Sequence, residues 1–264
     1  MKRWHLFEIH DQSWCPDSLR NALTRLISHM TWCFRTYSPT ADLLADALDK
    51  TGDTQVFDLC SGSGGPWRKL LGRVRNRLQV ERQEPLRVFL TDKYPTDPAV
   101  EFPEGLSYVP DSVDAMAMGR DRAGFRTMFT SFHHFEPDGA QAILADAVRN
   151  GSGIAVFECT RRKVSAVLLY LLAPVLVWFT VPFLRPFRWQ DWAWTYPIPI
   201  LPMVVLFDGL VSCLRTYSPE ACLELAAAAD SKGEFEWEAG VKWSLPHGMT
   251  YLIGRPRHPK VSPP

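Results

Sequence analysis

The sequence has no excess of either charge, no paired cysteine motif and no long apolar stretch at its start. Its 29 Lys and Arg residues are balanced by 29 Asp and Glu residues. The positive surplus that draws proteins to DNA or RNA is therefore missing, and a nucleic-acid substrate is not expected. The six cysteines form no C-x-x-C pair, which favours reduced thiols in a cytoplasmic chain. Lys2 and Arg3 precede too few apolar residues for a signal peptide.

Phosphate-binding motifs are missing as well. No G-x-x-x-x-G-K-[ST] sequence occurs, which argues against a P-loop nucleotide site. Gly62 and Gly64 begin a G-x-G pattern, but Trp67 stands where a dinucleotide-binding turn has its third glycine. Because that glycine lets the helix pack closely on the strand, its replacement by tryptophan argues against a dinucleotide cofactor.

A strand, a glycine turn and a helix follow one another from residue 54 onward. Gln55–Leu59 is a short apolar run with one carboxylate, typical of a buried parallel strand. Residues 60–65 are small and rich in glycine, so the backbone can turn sharply and approach a ligand. Apolar residues recur at helical spacing from Trp67. The three segments predict a nucleotide-type binding corner at the carboxyl edge of a sheet.

The glycine turn resembles motif I of class I S-adenosylmethionine-dependent methyltransferases. The resemblance rests on the pattern D-x-x-x-G-x-G-G, formed by Asp58, Gly62, Gly64 and Gly65, with Ser61 inside it. In that family the loop approaches the methionine part and the ribose of the cofactor. The resemblance implies that these five residues bind S-adenosylmethionine, which leaves S-adenosylhomocysteine after transfer.

The next two strand ends carry acids in the order that the family uses. The second predicted strand ends at Asp92, whose carboxylate can accept hydrogen bonds from both ribose hydroxyls. Lys93 follows it. The third predicted strand leads to Asp114 and Ala115, which resemble the pair that lies beside the adenine in the family. All four residues are therefore expected at the cofactor.

The stretch 125–135 resembles the fourth strand and motif IV of the family. Ser131 and Phe132 are expected at the cofactor, and His133 and His134 are expected to face the methyl acceptor. A histidine titrates near neutrality and can deprotonate a phenol or a hydroxyl group. The alternative is that one of the two histidines holds a loop by hydrogen bonds. The resemblance covers residues 54–160 well and the rest only loosely.

The chemistry leaves the need for a base open. Methyl transfer from a sulfonium is an in-line displacement, so the protein must mainly position the nucleophile. A carboxylate acceptor needs no base, and an arginine such as Arg126 could orient it through two hydrogen bonds. No Asn/Asp-Pro-Pro-Tyr sequence follows the fourth strand, which argues against methylation of nucleic-acid bases or glutamine. No metal is expected.

The acceptor pocket is expected to draw on several segments. The N-terminal helices, which in many small-molecule methyltransferases wall this pocket, contribute aromatic residues, although simple packing on the sheet explains those residues too. The proline- and aromatic-rich stretch 192–209 contributes others. The expected acceptor-binding residues are Trp32, Tyr37, Arg126, Glu158, Tyr196 and Asp208.

The resemblance implies an α/β, Rossmann-like class I methyltransferase fold. We expect a seven-stranded sheet of order 3-2-1-4-5-7-6, with its last strand antiparallel. Residues 1–53 would form an N-terminal helical cap, 54–160 the cofactor-binding core and 161–216 an apolar insertion after the fifth strand. Residues 217–264 would supply a helix, the antiparallel strand pair and the tail, all within one compact domain.

The insertion contains the longest uncharged run of the chain. Residues 164–184 carry no charge and are flanked by basic residues on both sides, so their length allows a membrane span. A single crossing would separate the last two strands from their sheet, and Pro174 and Pro182 interrupt the run. A buried lid is therefore favoured. A homodimer interface and a segment that dips into one membrane face are the alternatives.

These observations predict an enzyme that transfers a methyl group to a small, rather apolar molecule, for example in natural-product or secondary metabolism. O-methylation of a hydroxyl, phenol or carboxylate is favoured. One alternative is a membrane-associated enzyme that methylates a lipid or quinone, with peripheral contact through 164–184. The other is a catalytically inactive, cofactor-binding interaction protein.

Overall fold

A computed structural model describes residues 2–62, 64–79, 84–95, 102–119, 121–246 and 248–258. The chain forms two compact units. The helical unit comprises Met1–Thr36, Thr160–Tyr217 and Leu245–His247. The sheet unit comprises Tyr37–Cys159, Ser218–Ser244 and Gly248–Pro264.

All the strands of the described residues lie in the sheet unit and form one sheet. In chain order they are β1 (Gln55–Leu59), β2 (Arg87–Asp92), β3 (Leu106–Ser112), β4 (Phe125–Phe129), β5 (Ile154–Glu158), β6 (Phe235–Lys242) and β7 (Met249–Pro256). The sheet has the order β3-β2-β1-β4-β5-β7-β6. Strands β1 to β5 pair in parallel, whereas β7 is antiparallel to both β5 and β6. The predicted fold class and strand order are confirmed.

The helices alternate with the strands and then form a run of their own. In chain order they are α1 (Asp17–Cys33), α2 (Thr40–Thr51), α3 (Trp67–Arg75), α4 (Pro137–Asn150), α5 (Val164–Tyr170), α6 (Ala173–Thr180), α7 (Trp189–Ala193), α8 (Ile200–Arg215) and α9 (Pro219–Ala229). Short 3-10 helices occupy Phe132–His134 and Val181–Phe183. Helix α2, which the sequence analysis grouped with the N-terminal cap, belongs to the sheet unit.

Local sequence signals set the ends of several helices in the sheet unit. Gly52 and Gly151 end α2 and α4 in the left-handed conformation that glycine adopts at low cost. Ser218 caps α9, because its hydroxyl accepts a hydrogen bond from the backbone N–H of Ala221 at 3.3 Å. Trp67 begins α3 and is fully buried in the apolar core that α2 and α3 share with the sheet. The core thus fixes where the glycine turn before Trp67 lies.

The helical unit has a separate apolar core. Buried residues of α1, of α6 and of α8 form it, among them Leu19, Leu26, Val177 and Leu201. Helix α1 supplies Leu19, Ala22, Leu23 and Leu26 to this core from its buried side.

The uncharged run 164–184 is broken into α5, α6 and the 3-10 turn Val181–Phe183. Pro174 lies in the first turn of α6. A proline there lacks the N–H that would continue the preceding helix and its ring clashes with the turn before it, so α5 cannot run on into α6. Among the described residues no single helix is both long enough and apolar enough to cross a membrane. Two bent pairs of successive helices do have that length and apolar character when each pair is taken together.

Candidate functional site

The candidate site is the carboxyl edge of the sheet around β1 and β4. These strands are neighbours, and the strand order reverses between them. In an open parallel sheet such a reversal leaves a crevice outside the carboxyl ends of the strands, where ligands bind. The turns after β1, β2, β3 and β4 contain most of the predicted cofactor residues.

The turn after β1 requires glycine at three positions. Gly62, Gly64 and Gly65 have φ angles of 53°, 111° and 48°, all in the left-handed region that glycine tolerates without a steric penalty. A Cβ atom on Gly64 would lie 3.1 Å from the ring of Phe102 and 3.4 Å from Leu90. A side chain at Gly64 is therefore disfavoured both by the backbone angle and by these two neighbours.

Asp58 lies beneath this turn and is almost fully buried. Its Oδ1 accepts a hydrogen bond from the hydroxyl of Thr127 at 2.6 Å, and its Oδ2 accepts one from the hydroxyl of Ser61 at 2.7 Å. Burial raises the pKa of Asp58 to about 7, although the hydrogen bonds from Thr127 and Ser61 oppose the shift. Asp58 thus links β1 to β4 and to the glycine turn.

Asp92 at the end of β2 meets the same turn. Its Oδ2 accepts a hydrogen bond from the backbone N–H of Gly62 at 2.9 Å, and its Oδ1 accepts one from Tyr94 at 2.9 Å. The carboxylate is thereby held at the rim of the glycine turn. The Asp92 carboxylate can accept further hydrogen bonds, because two carboxylate oxygens can accept about four.

Lys93 and Asp114 form an ion pair beside Asp92. The ammonium group of Lys93 lies 2.8 Å from the Oδ2 of Asp114. The hydrogen bond between the two side chains raises the pKa of Lys93 and lowers that of Asp114. Asp114 also accepts a hydrogen bond from Met116 at 2.9 Å, and Ala115 is buried next to it. Because the pair is solvent-exposed, its main effect is to orient the Asp114 carboxylate rather than to stabilise the fold.

The turn after β4 carries backbone strain and an unpaired hydroxyl. Thr130 has a φ angle of 48°, which is costly for a β-branched residue and is characteristic of functional sites. Cys60, at the corresponding point after β1, has a φ angle of 54°. Ser131 is buried, and its hydroxyl finds no hydrogen-bond partner among the described residues. An unpaired buried hydroxyl at this edge is what a site that awaits a polar ligand would present.

Glu158 at the end of β5 holds the 3-10 turn that follows Ser131. Its Oε1 accepts hydrogen bonds from the backbone N–H groups of Phe132 at 2.8 Å and His133 at 3.3 Å. Its Oε2 lies 2.6 Å from the Nδ1 atom of His133. Glu158, Phe132 and His133 are all buried, whereas His134 is partly exposed, with its ring centroid 4.3 Å from that of His133 and the two ring planes tilted by 33°. The structure thus shows Glu158 anchoring this turn, and its predicted contact with the methyl acceptor stays a prediction.

Tyr37 reaches the same edge from the start of the sheet unit. Its hydroxyl lies 2.6 Å from that of Thr130, which also accepts a hydrogen bond from the backbone N–H of Cys159 at 3.1 Å. Burial raises the pKa of Tyr37 well above 10, so the phenol stays protonated near neutral pH. Thr130 and Thr127 were not among the residues predicted from the sequence. Thr127 could have been recognised as a polar residue in the middle of a mainly apolar strand. No local sequence pattern indicates the strained backbone of Thr130.

Arg126 does not reach the carboxyl edge. It is the second residue of β4, is fully buried, and pairs with Asp146 of α4 at 2.7 Å. The predicted use of Arg126 to orient an acceptor carboxylate is therefore corrected, since the guanidinium belongs to a buried ion pair near the opposite end of its strand.

Three other predicted acceptor-binding residues lie in the helical unit. Asp208 of α8 accepts hydrogen bonds from the backbone N–H groups of Ile9 at 2.7 Å and His10 at 3.2 Å, and its Oδ2 lies 2.9 Å from the Nδ1 of His10. The structure thus assigns Asp208 to the anchoring of the N-terminal segment. Tyr196 donates a hydrogen bond to the carbonyl of Trp178 at 2.8 Å, and Trp32 is exposed at the end of α1.

Comparisons with known proteins identify the fold. No protein-family profile and no curated protein matches the sequence. Among solved structures, the plantazolicin methyltransferase BpumL in complex with SAH is similar over 94% of this chain and 94% of its own, with 9% identity and a TM-score of 0.59.

Two further likenesses are weaker. The methyltransferase domain of bacterial CtHen1 matches 83% of this chain and 99% of its own, with 11% identity and a TM-score of 0.49. Human N-acetylserotonin methyltransferase in complex with SAM matches 90% of this chain and 57% of its own, with 14% identity and a TM-score of 0.48. The likeness to BpumL and the strand order agree that this chain has the Rossmann-like fold of class I methyltransferases.

Proposed function

We propose that this chain transfers a methyl group from S-adenosylmethionine to an oxygen of a small, rather apolar acceptor. The observation that carries the proposal is the joint placement of the glycine turn, Asp92 and Ser131 at the point where the strand order reverses. The cofactor supplies an electrophilic methyl group on a positively charged sulfur, so the protein's own task is to bind, orient and exclude water.

The residues at this edge suit S-adenosylmethionine. The glycines allow the backbone to turn sharply and to approach a ligand, and the backbone at Gly62 has no side chain and no neighbour within 4 Å of its Cβ position. The spare lone pairs of Asp92 can accept ribose hydroxyls, and the unpaired hydroxyl of Ser131 offers a further polar contact. We also assign Lys93 and Asp114 to the adenosine side, since their ion pair flanks Asp92.

His134 is the better candidate for a base among the two histidines. His133 is buried and its Nδ1 is engaged with Glu158, so its part is to hold the turn. His134 follows it on the same turn and is partly exposed. A histidine there could take the proton of a hydroxyl or phenol while Glu158 keeps the turn in place.

Calorimetric titration with S-adenosylmethionine, and separately with NAD, tests the proposed cofactor. We expect saturable one-site binding of the first and no binding of the second. Asp92→Ala should weaken binding of S-adenosylmethionine at least tenfold, whereas Asp111→Ala, which removes an exposed carboxylate from the end of β3, should leave it unchanged. Equal affinity in wild type and Asp92→Ala would remove the ribose site from this edge.

Turnover requires its own experiment. Transfer of a tritiated methyl group to a panel of phenols, alcohols and carboxylic acids identifies the acceptor class. We expect His134→Gln to slow transfer to hydroxyl acceptors by roughly 100-fold or more, as for the loss of a general base, while cofactor binding stays intact. Binding without transfer to any compound would instead favour the inactive, cofactor-binding interaction protein.

A second candidate is an enzyme that methylates a lipid or quinone at a membrane. The exposed apolar surface of the helical unit is the observation that favours it. This candidate keeps the same cofactor and base and differs only in how the acceptor is delivered.

A further inference from the structure

The outer side of α5 and α6 is apolar where a helix of a water-soluble protein is normally polar. Only Ala173 and Val177 of α6 are buried, and they pack into the core of the helical unit. Phe179 is 72% exposed and the neighbouring Phe183 67% exposed. We define the apolar face as the exposed side chains Val164, Leu168, Leu171, Leu172, Val175, Leu176, Trp178, Phe179 and Phe183. A surface of this kind marks an interaction site.

Aromatic side chains continue this surface along the chain. Beyond the apolar face, Phe187, Trp189 and Trp192 are each at least half exposed. Tryptophan and phenylalanine are the side chains that interfacial segments place at the boundary between lipid headgroups and acyl chains. Their number here exceeds what scattered surface residues explain.

The charges that flank the apolar face in sequence all have one sign. Arg161, Arg162 and Lys163 precede it, Arg185 and Arg188 follow it, and no Asp or Glu occurs from 161 to 190. The next acid, Asp191, is buried and forms a 2.6 Å ion pair with Arg25. The exposed charge that flanks the apolar face in sequence is therefore positive, which complements the anionic surface of a bilayer.

A groove opens beside the apolar face within the helical unit. Its volume is about 400 Å³, and it lies between the end of α1 and the turn that follows α6. Met30, Trp32, Phe34, Phe179 and Phe183 supply most of its apolar lining. The apolar lining of this groove thus extends the apolar face toward the end of α1.

The geometry argues against a single straight transmembrane helix. Helices α5 and α6 have 7 and 8 residues and meet at an angle of 45°. At 1.5 Å per residue each is about 10–12 Å long, against a hydrocarbon core of about 30 Å. Two short bent helices with an exposed apolar side and basic flanks suit a segment that lies in the plane of the interface.

We propose that the apolar face seats the helical unit on one leaflet of an anionic lipid bilayer. A second copy of the chain is the competing occupant of this surface. In a two-fold dimer the same patch faces itself, which would bring the basic flanks of both copies together without a nearby acid to neutralise them. An anionic bilayer satisfies both the apolar side chains and the charges. The proposal does not depend on whether the chain transfers methyl groups.

Flotation of the full-length protein with vesicles tests the proposal. We expect the protein to float with vesicles of phosphatidylcholine and phosphatidylglycerol, to float much less with phosphatidylcholine alone, and to be released in part by high salt. Brominated lipids should quench tryptophan fluorescence, because Trp178 belongs to the apolar face. A wild-type protein that stays at the bottom of the gradient with both kinds of vesicle would overturn the proposal.

Matched variants locate the contact. Phe179→Glu together with Phe183→Glu should lower the vesicle partition coefficient more than tenfold, whereas Trp243→Glu, at an equally exposed aromatic residue of the sheet unit, should leave it unchanged. Arg162→Gln, Lys163→Gln and Arg188→Gln combined should lower it roughly tenfold on anionic vesicles only. Circular dichroism establishes that each variant is folded.

Two results would count against the bilayer. Equal loss of flotation in Trp243→Glu would mean that binding does not run through the apolar face. A wild-type dimer in light scattering that Phe179→Glu converts to a monomer, without flotation of either, would assign the surface to a second copy.

Discussion

Each of the two units contains a carboxylate clamp, by which we mean an acid that accepts hydrogen bonds from two backbone N–H groups and contacts the side chain of a histidine. The two clamps hold different parts of the chain. In the sheet unit, Glu158 accepts the backbone N–H groups of Phe132 and His133 and contacts the Nδ1 of that histidine. In the helical unit, Asp208 does the same with Ile9 and His10. The first clamp fixes a turn at the carboxyl edge of the sheet, and the second ties the N-terminal segment to α8.

The comparison shows that a buried carboxylate next to a histidine is not by itself a sign of catalysis. The surroundings of each clamp decide its role. Around Glu158 the backbone is strained and a buried hydroxyl is unpaired. Around Asp208 a second buried acid, Glu8, accepts a hydrogen bond from Ser212 at 2.9 Å and lies 3.3 Å from Arg215. The helical unit thus pairs its buried charges with one another, while many of its large apolar side chains are exposed. Of the large apolar side chains exposed among the described residues, all but Tyr94, Leu223, Val241 and Trp243 lie in that unit.

Removal of each clamp should have the largest effect. Glu158→Ala and Asp208→Ala should each lower the free energy of unfolding by about 3–5 kcal/mol, because two backbone N–H groups and a histidine lose a buried charged partner. Only Glu158→Ala should also weaken binding of S-adenosylmethionine in the protein that remains folded. Urea denaturation and calorimetry measure the two effects. A loss of cofactor affinity of the same size in both variants would erase the distinction between the clamps.

The next largest effect is a pH dependence of the free energy of unfolding that arises from Asp58 in the sheet unit. Burial raises the pKa of Asp58 from 3.8 to about 7, so the folded protein holds a proton there that the unfolded chain has released. Stability from this group is complete below pH 3.8 and is lost as pH rises to about 7, by on the order of 2–4 kcal/mol. Asp58→Asn should remove this slope, which unfolding curves between pH 4 and 8 measure. A wild-type slope retained in the variant would mean that Asp58 is not its source.

Much of this sheet edge was predictable from short-range pattern. The apolar run before Asp58, the glycines after it and the acid at Asp92 are local signals, and the order of strands follows from the rules of doubly wound sheets. The partners of the buried charges were not predictable. Arg126 and Asp146, or Asp208 and His10, are far apart in sequence, and only packing decides which acid meets which base. The exposed side of α6 could not be predicted from the sequence either, because a uniformly apolar segment does not indicate which of its residues face the core.

Gly64→Ala should test the space above the glycine turn. The new methyl group would meet Phe102 at 3.1 Å and would sit on a backbone with φ of 111°, at a cost of about 1–3 kcal/mol. Binding of S-adenosylmethionine should fall more than tenfold. Gly72→Ala is the matched control, because its Cβ meets nothing within 4 Å in the interior of α3 and should stabilise that helix by about 0.5–1 kcal/mol. Normal cofactor affinity in Gly64→Ala would place the ligand elsewhere.

His10 should give the clamp of the helical unit a pH dependence of its own. Burial alone lowers the pKa of His10, but the hydrogen bond to Asp208 and the charges of Asp11 and Glu8 outweigh it, so the pKa is raised above 6.5. The stability it contributes is complete below pH 6.5 and is lost as pH rises through the folded-state pKa. His10→Gln should flatten the stability curve above pH 6.5 and leave the part due to Asp58 unchanged. The effect should be smaller than that of Asp58, because the His10 side chain is 27% exposed.

Cys60 should show the smallest effect and the most local one. It holds a φ angle of 54° directly after β1, a conformation that costs a non-glycine residue about 1–2 kcal/mol. Cys60→Gly relieves that strain. It also gives the unfolded chain more conformational freedom, which lowers the free energy of unfolding by about 0.5–1 kcal/mol. The expected result is a gain of roughly 0.5–1 kcal/mol in the free energy of unfolding, with Cys60→Ala as the control that removes the thiol and keeps the strain. If Cys60→Ala stabilised the protein as much as Cys60→Gly, the thiol rather than the backbone would be the source of the cost, and the strain at this edge would have no energetic weight.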